Sequence, residues 1–172
     1  EVILAPGMSG RAWFEIDIQS LEQAMIQGKY RDLTQTRAPG MNDIVKLGLT
    51  FLDKLQSLYE KVIVGGFSQG SMLATEITLK AKKKPDGLVV LSGAYLDKEN
   101  WSSWATGLEG ISLFQSHGEK DALLDPKQAL QLFHLLKNAG MEGKFYQFKG
   151  GHEIPPQILA ELRNFISKIC VV

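Results

Sequence analysis

Short, continuous apolar runs alternate along this chain with stretches whose apolar residues recur at helical spacing. Val2-Ile3-Leu4-Ala5, Lys61 to Phe67, Leu88 to Leu91, Ile111 to Ser116 and Lys144 to Phe148 read as strands. Between them, Ile18 to Gln27 reads as a short helix stopped at Gly28. The clearest amphipathic pattern follows, with Asn42 as its cap and Ile44, Leu47, Phe51, Leu55 and Leu58 as its apolar face. Further helices are expected over Gln69 to Lys83, from Asp125-Pro126 to Asn138, and from Pro155 to Ile169. Asp125 before Pro126 is a cap followed by proline at the first helical position. Pro6 to Gly10 and Tyr95 to Gly110, with Trp101 and Trp104, read as loops. Gly28 to Gly40 reads as a polar segment closed by the turn at Pro39-Gly40.

Strands without polar alternation, separated by helices, are strands buried on both faces. The expected class is therefore α/β, a mostly parallel sheet with helices on either side. A length of 172 residues suits one domain, residues 1–172. Nothing leads into the first strand, so the domain is expected to be trimmed at its N-terminus.

Composition narrows the partners. A formal net charge of zero gives no basic field for nucleic acid. The cluster from Lys80 to Lys84 closes a helix before Pro85, where positive charge complements the helix end. No apolar run is long enough for stable membrane insertion. The single cysteine, Cys170, forms no internal disulfide and reads as a small core or edge residue. The expected setting is cytoplasmic.

The chemistry centres on Gly66-Phe67-Ser68-Gln69-Gly70, which joins a strand to a helix. Gly-x-Ser-x-Gly in that context is a nucleophile elbow. The serine turns sharply so that its hydroxyl clears the sheet, and the flanking glycines remove side chains that would collide. In parallel sheets the working site lies beyond the carboxyl ends of the strands. Two downstream strand ends carry suitable partners, Asp121 and His152, in the order serine, acid, histidine of an α/β-hydrolase. Asp125 and Glu119 are the alternative acids, but Asp125 already explains itself as a helix cap. His117 would precede its own acid and reads as a structural histidine bonding loop backbone. His134 falls within a helical periodicity and reads as a helix-surface or core residue.

These motifs together resemble the phospholipase/carboxylesterase family of α/β-hydrolases, which contains acyl-protein thioesterases, lysophospholipases and bacterial carboxylesterases. The resemblance rests on Gly65 to Gly70, Leu91-Ser92-Gly93, His117-Gly118 with Asp121, Gly151-His152-Glu153-Ile154-Pro155, and Trp13-Phe14-Glu15. It implies Ser68 as nucleophile, Asp121 as acid and His152 as base. It also implies Gln69 as an oxyanion-hole donor, with Trp13 and Leu123 beside the acyl pocket. Trp13, Leu21, Met25, Leu123 and Leu124 suggest an acyl-accepting groove.

Three departures stand out. Ser71 replaces a second glycine and should tighten the elbow. Leu124-Asp125-Pro126 replaces a Val-Pro pair. The family's His-Gly-x-Gly-like loop, which supplies a second oxyanion donor, is absent. Losing such a donor typically lowers turnover by ~10²–10³. Either the chain is a fragment, or Pro6 to Gly10 serves instead.

The implied reaction is hydrolysis of a small-molecule or acylated ester or thioester through an acyl-enzyme. It needs no cofactor and no metal, and the protein is expected as a monomer or homodimer. A peptidase of the same fold and a non-catalytic binding module are the competing readings.

Overall fold

The computed structural model describes residues 2–5, 8–15, 17–35 and 37–170. Its centre is a four-stranded, all-parallel sheet whose strands lie side by side in chain order. The strands are β3 (Ile63–Phe67), β4 (Gly87–Leu91), β5 (Ser112–Gly118) and β6 (Glu142–Phe148). Each crossover carries a helix: α3 (Gln69–Lys80), α4 (Lys98–Trp104) and α5 (Pro126–Asn138), with α6 (Pro156–Cys170) after β6. β4 is buried along its whole length, as a strand covered on both faces must be.

One face packs Leu88, Val90 and Leu113 against α3 and α5, and against α2 (Met41–Leu58). The other packs Val89, Leu91, Phe114 and Phe148 against Ile158, Leu162 and Phe165 of α6. Helices thus lie on both sides, and strand ends Phe67, Gly118 and Phe148 point to one rim.

The N-terminal part departs from the sequence reading. β1 (Val2–Ala5) pairs antiparallel with β2 (Met8–Gly10) and stands apart from the parallel sheet. Continuous apolar character does not distinguish a strand in a hairpin from one in a parallel sheet. The expected helix after it is α1 (Ile18–Ile26), capped by Asp17, whose carboxylate accepts from the Ser20 amide at 3.0 Å.

α2 corrects the cap and the apolar face. Gly40, in a left-handed conformation with φ 76°, precedes it, and Asn42 instead accepts a hydrogen bond from Arg37. Its buried residues are Met41, Val45 and Leu52. Leu47 and Phe51 are 64% and 60% exposed, lining a groove along β3 with Trp13, itself 57% exposed. Among the described residues β3 has no strand on its outer edge.

Tyr95 to Gly110 contains a helix, α4, whose short length and two serines conceal it in the sequence. Trp101 is fully buried there, and its indole N–H donates to Glu76 at 3.1 Å. Glu76 is itself fully buried on α3 and takes two bonds from Arg37, at 2.7 and 3.1 Å. Arg37 also reaches Asp97 at 2.9 Å. Removing one partner of such a buried pair leaves an uncompensated charge. Arg37→Ala is therefore expected to destabilise the fold by about 3 kcal/mol, read as a lowered urea midpoint. The low end of the usual range applies because Lys80 also approaches Glu76, at 3.7 Å.

The lysine cluster ends α3 as expected. Lys84 donates to the carbonyls of Leu79 and Thr78, at 2.7 and 3.2 Å, and burial pushes its amine below the usual lysine range. Cys170 is exposed at the end of α6 and is not a core residue. Among the described residues no helix is long and apolar enough to cross a membrane.

Candidate active site

Ser68 occupies the turn between β3 and α3 with φ 54° and ψ −121°, a region that non-glycine residues rarely enter. Such a conformation costs of order 1–3 kcal/mol and persists only where the surroundings hold it. Here the Ser68 amide donates to Leu91 of β4 at 2.8 Å. Its carbonyl accepts from the Ser71 hydroxyl at 2.6 Å and the Ser71 amide at 3.0 Å. The departure at Ser71 therefore adds a bond to the elbow. Gly66 is obligatory, because a Cβ there would collide with the backbone of Gly70.

The turn carries the hydroxyl to the rim, where two loops meet it. His152 Nε2 lies 2.8 Å from Ser68 Oγ, and His152 Nδ1 lies 2.7 Å from Asp121 Oδ2. The loops are tied to one another by the Lys120 amide on Gly150 at 2.9 Å and the Glu119 amide on Phe148 at 2.9 Å. Gly118 allows the approach, since a Cβ would collide with the carbonyls of Gly150 and Gly151. Phe67 packs on the imidazole with ring centroids 4.8 Å apart.

Asp121 is fully buried, and its Oδ1 accepts from the Leu123 and Leu124 amides at 2.9 and 3.0 Å. Burial pushes its carboxyl up. The hydrogen bonds from His152 and from the Leu124 and Leu123 amides outweigh burial and hold it below the usual carboxylate range. Asp125 caps α5 through the Lys127 amide at 2.8 Å, and Glu119 is exposed. His134 is exposed on α5.

Sequence reading missed two supports of the site. The Gln69 side chain accepts from the Trp13 amide and donates to the Phe14 carbonyl, both at 2.8 Å, fastening the Trp13-Phe14 segment to the elbow. Tyr30 donates to the Asp121 carbonyl at 2.8 Å. Neither pairing carries a local pattern, because their partners lie 55 or more residues away. The Gln69 and Gly70 amides open α3, where helical N–H groups have no partner within the helix.

Beside Ser68 lies a cavity of about 400 Å³, bounded by Leu21, Leu33, Met72, Leu96, Leu123 and Leu124. Glu15, Asp17 and Arg31 stand among its lining residues. Leu123 lines this cavity. Trp13 does not; it lines the groove along β3 with Gly66 and Phe67. Met25 is 41% exposed and is not part of the wall. Pro6 and Gly7, from the segment that is one of the two alternatives for the absent oxyanion loop, lie outside the described residues, and Met8 to Gly10 forms β2.

A sequence model of the phospholipase/carboxylesterase family matches residues 2–170. The chain belongs to the phospholipase/carboxylesterase family. Within curated members, it is 32% identical over 111 residues to acyl-protein thioesterase 1 homolog 1 of Dictyostelium discoideum, covering 63% of this chain and 49% of that protein. It is 30% identical over 136 residues to acyl-protein thioesterase 1 of Eremothecium gossypii, covering 74% and 57%. The chain thus spans about half the length of the curated relatives it matches. The crystal structure of esterase PE8 superposes with a TM-score of 0.73 at 22% identity, over 93% of this chain and 71% of that one. The fold is that of the α/β-hydrolases.

One family motif carries a pH prediction. His117 is fully buried, and burial pushes its imidazole below the ordinary value of 6.5, despite the Leu124 carbonyl and Asp121. A histidine with a lowered folded value stabilises fully above the unfolded value and loses that contribution as pH falls through it. Stability should therefore decline below pH 6.5, before the carboxylates titrate. Urea midpoints measured downward from neutral pH check this, and His117→Gln should flatten the decline.

Proposed function

We propose that this chain hydrolyses carboxylic esters or thioesters with an apolar acyl group, through an acyl-enzyme on Ser68. The observation that carries the reading is the hydrogen-bonded series from Ser68 Oγ through His152 to Asp121, at 2.8 and 2.7 Å. His152 takes the Ser68 proton as the oxygen attacks the acyl carbonyl, while Asp121 fixes the imidazole tautomer and stabilises its cation. The oxyanion that develops is met by the Gln69 amide at the start of α3, where the helix dipole favours negative charge. His152 then protonates the departing alcohol or thiol, and water repeats the sequence to release the acid.

Leaving-group and acyl sides have different support. The cavity beside Ser68 is walled mainly by aliphatic side chains, which suits an acyl chain. The acyl-protein thioesterases among the relatives favour a thioester substrate, with a thiol as leaving group. The low Asp121 pKa keeps the acid ionised at neutral pH, as this mechanism requires. A cytoplasmic setting belongs to the same reading.

The test is turnover of p-nitrophenyl esters and acyl thioesters of graded chain length by the folded protein. Longer saturated chains should outpace acetyl until the cavity is filled, each buried methylene adding about 0.8 kcal/mol. Absence of turnover on every member, with folding shown by circular dichroism, contradicts the reading.

A further inference from the structure

His117 is buried, ionisable and outside the series of groups that exchange protons, yet it touches the loop that carries the acid. It is the penultimate residue of β5, four residues before Asp121, with no exposed surface. Its Nε2 lies 3.1 Å from the Leu124 carbonyl and 3.3 Å from Asp121 Oδ2. Two oxygen acceptors facing one ring nitrogen put the proton on Nε2. Nδ1, on the far side, has no partner among the described residues.

The Leu124 peptide is thereby held from both ends. Its carbonyl accepts from His117, and its amide donates to Asp121 Oδ1 at 3.0 Å. The other oxygen, Oδ2, faces His152 and the His117 N–H dipole. Leu123 and Leu124 also wall the cavity beside Ser68. One imidazole therefore touches both the carboxylate and a residue of the cavity wall.

We infer that His117 is a positioning residue: as a neutral Nε2–H imidazole it pegs the Gly118–Asp125 loop, aiming Asp121 at His152 and fixing the Leu123-Leu124 wall of the substrate cavity. The inference deepens the hydrolase reading and rests on it for what the acid does. Charged and titratable groups facing His117 are Asp121, Asp125 and His152, and Tyr30 faces Asp121 from the opposite segment. Without the peg the Leu124 amide loosens from Asp121. Burial of the carboxylate then goes less opposed, so Asp121 takes up a proton at higher pH.

The direct measurement is the ¹⁵N spectrum of His117 in the wild-type protein, assigned by comparison with His117→Gln. A neutral ring with its proton on Nε2, from about pH 8 down to pH 5, the range in which an ordinary histidine titrates, is the expected result. A proton on Nδ1, or a ring that protonates in that range like a solvent-exposed histidine, overturns the inference. Kinetics give the second arm. His117→Leu should lower kcat/KM by about 10²-fold, the scale of a misplaced catalytic group, and move the acidic limb of its pH profile upward. His117→Gln, which keeps an amide N–H near the Nε2 position, should recover most of the loss. A folded His117→Leu protein with unchanged rate and profile overturns the inference, and if that variant does not fold the tautomer decides. Failure of the hydrolase reading is seen separately, as wild-type protein with no turnover, and the tautomer is read in that case too.

Discussion

Ser68→Ala is expected to abolish acyl transfer while leaving the fold intact. Turnover of a p-nitrophenyl ester is expected to fall by about 10⁶-fold, because the members of such a triad act as a unit and removing the nucleophile removes the path through the acyl-enzyme. The side chain contributes little to stability, since the elbow is held by backbone groups. The Ser68 amide bonds Leu91, and its carbonyl takes the Ser71 hydroxyl and amide. Alanine keeps all of these and must still adopt φ 54°, so the urea midpoint should move little. A variant that stays folded and hydrolyses at the original rate contradicts the assignment of Ser68.

Asp121→Asn has the second-largest expected effect, about 10⁴-fold in kcat. The site's own geometry gives the reason. The Leu123 and Leu124 amides both donate to Oδ1, so that position must remain an oxygen in the variant. The new amide nitrogen is then placed at Oδ2, facing His152 Nδ1. Two donors cannot share that contact, so the imidazole shifts its proton to Nε2 and can no longer accept from Ser68. His117 Nε2, 3.3 Å from the same position, opposes the amide nitrogen as well. Steady-state kinetics should show the loss in kcat with a smaller change in KM, since the cavity wall at Leu123 and Leu124 stays in place.

The elements that bring these groups together were legible where apolar runs were continuous. Leu88 to Leu91, the approach to Gly66, and the strand ending near Ser116 all lie in the parallel sheet, and each is followed by a helix. Ser68, Asp121 and His152 could be named because each follows directly on a strand end and carries a distinct chemical type. Less legible were positions whose environment is set by distant chain. Leu47 and Phe51 follow helical spacing as well as Leu52 does, yet they face the open groove along β3, and periodicity alone carries no information about what covers a face. Asn42 reads as a cap, but Gly40 precedes the helix in the capping position and Asn42 binds Arg37. Resemblance and apolar character put Trp13 at the acyl cavity. The Gln69 clamp on its backbone instead sets the segment at the elbow, with the indole in the other groove. The α4 helix is hidden because seven residues, two of them Ser, carry little helical signal, and its stability comes from Trp101 buried on Glu76.

Acyl transfer requires Ser68 to be an activated nucleophile rather than a hydroxyl in a tight turn. Treatment with one equivalent of a fluorophosphonate, followed by intact mass and peptide mapping, reads that property without assuming any substrate. A single adduct on Ser68, formed within minutes at neutral pH and lost in His152→Ala, is the predicted result. Unmodified Ser68 in a demonstrably folded protein would contradict it.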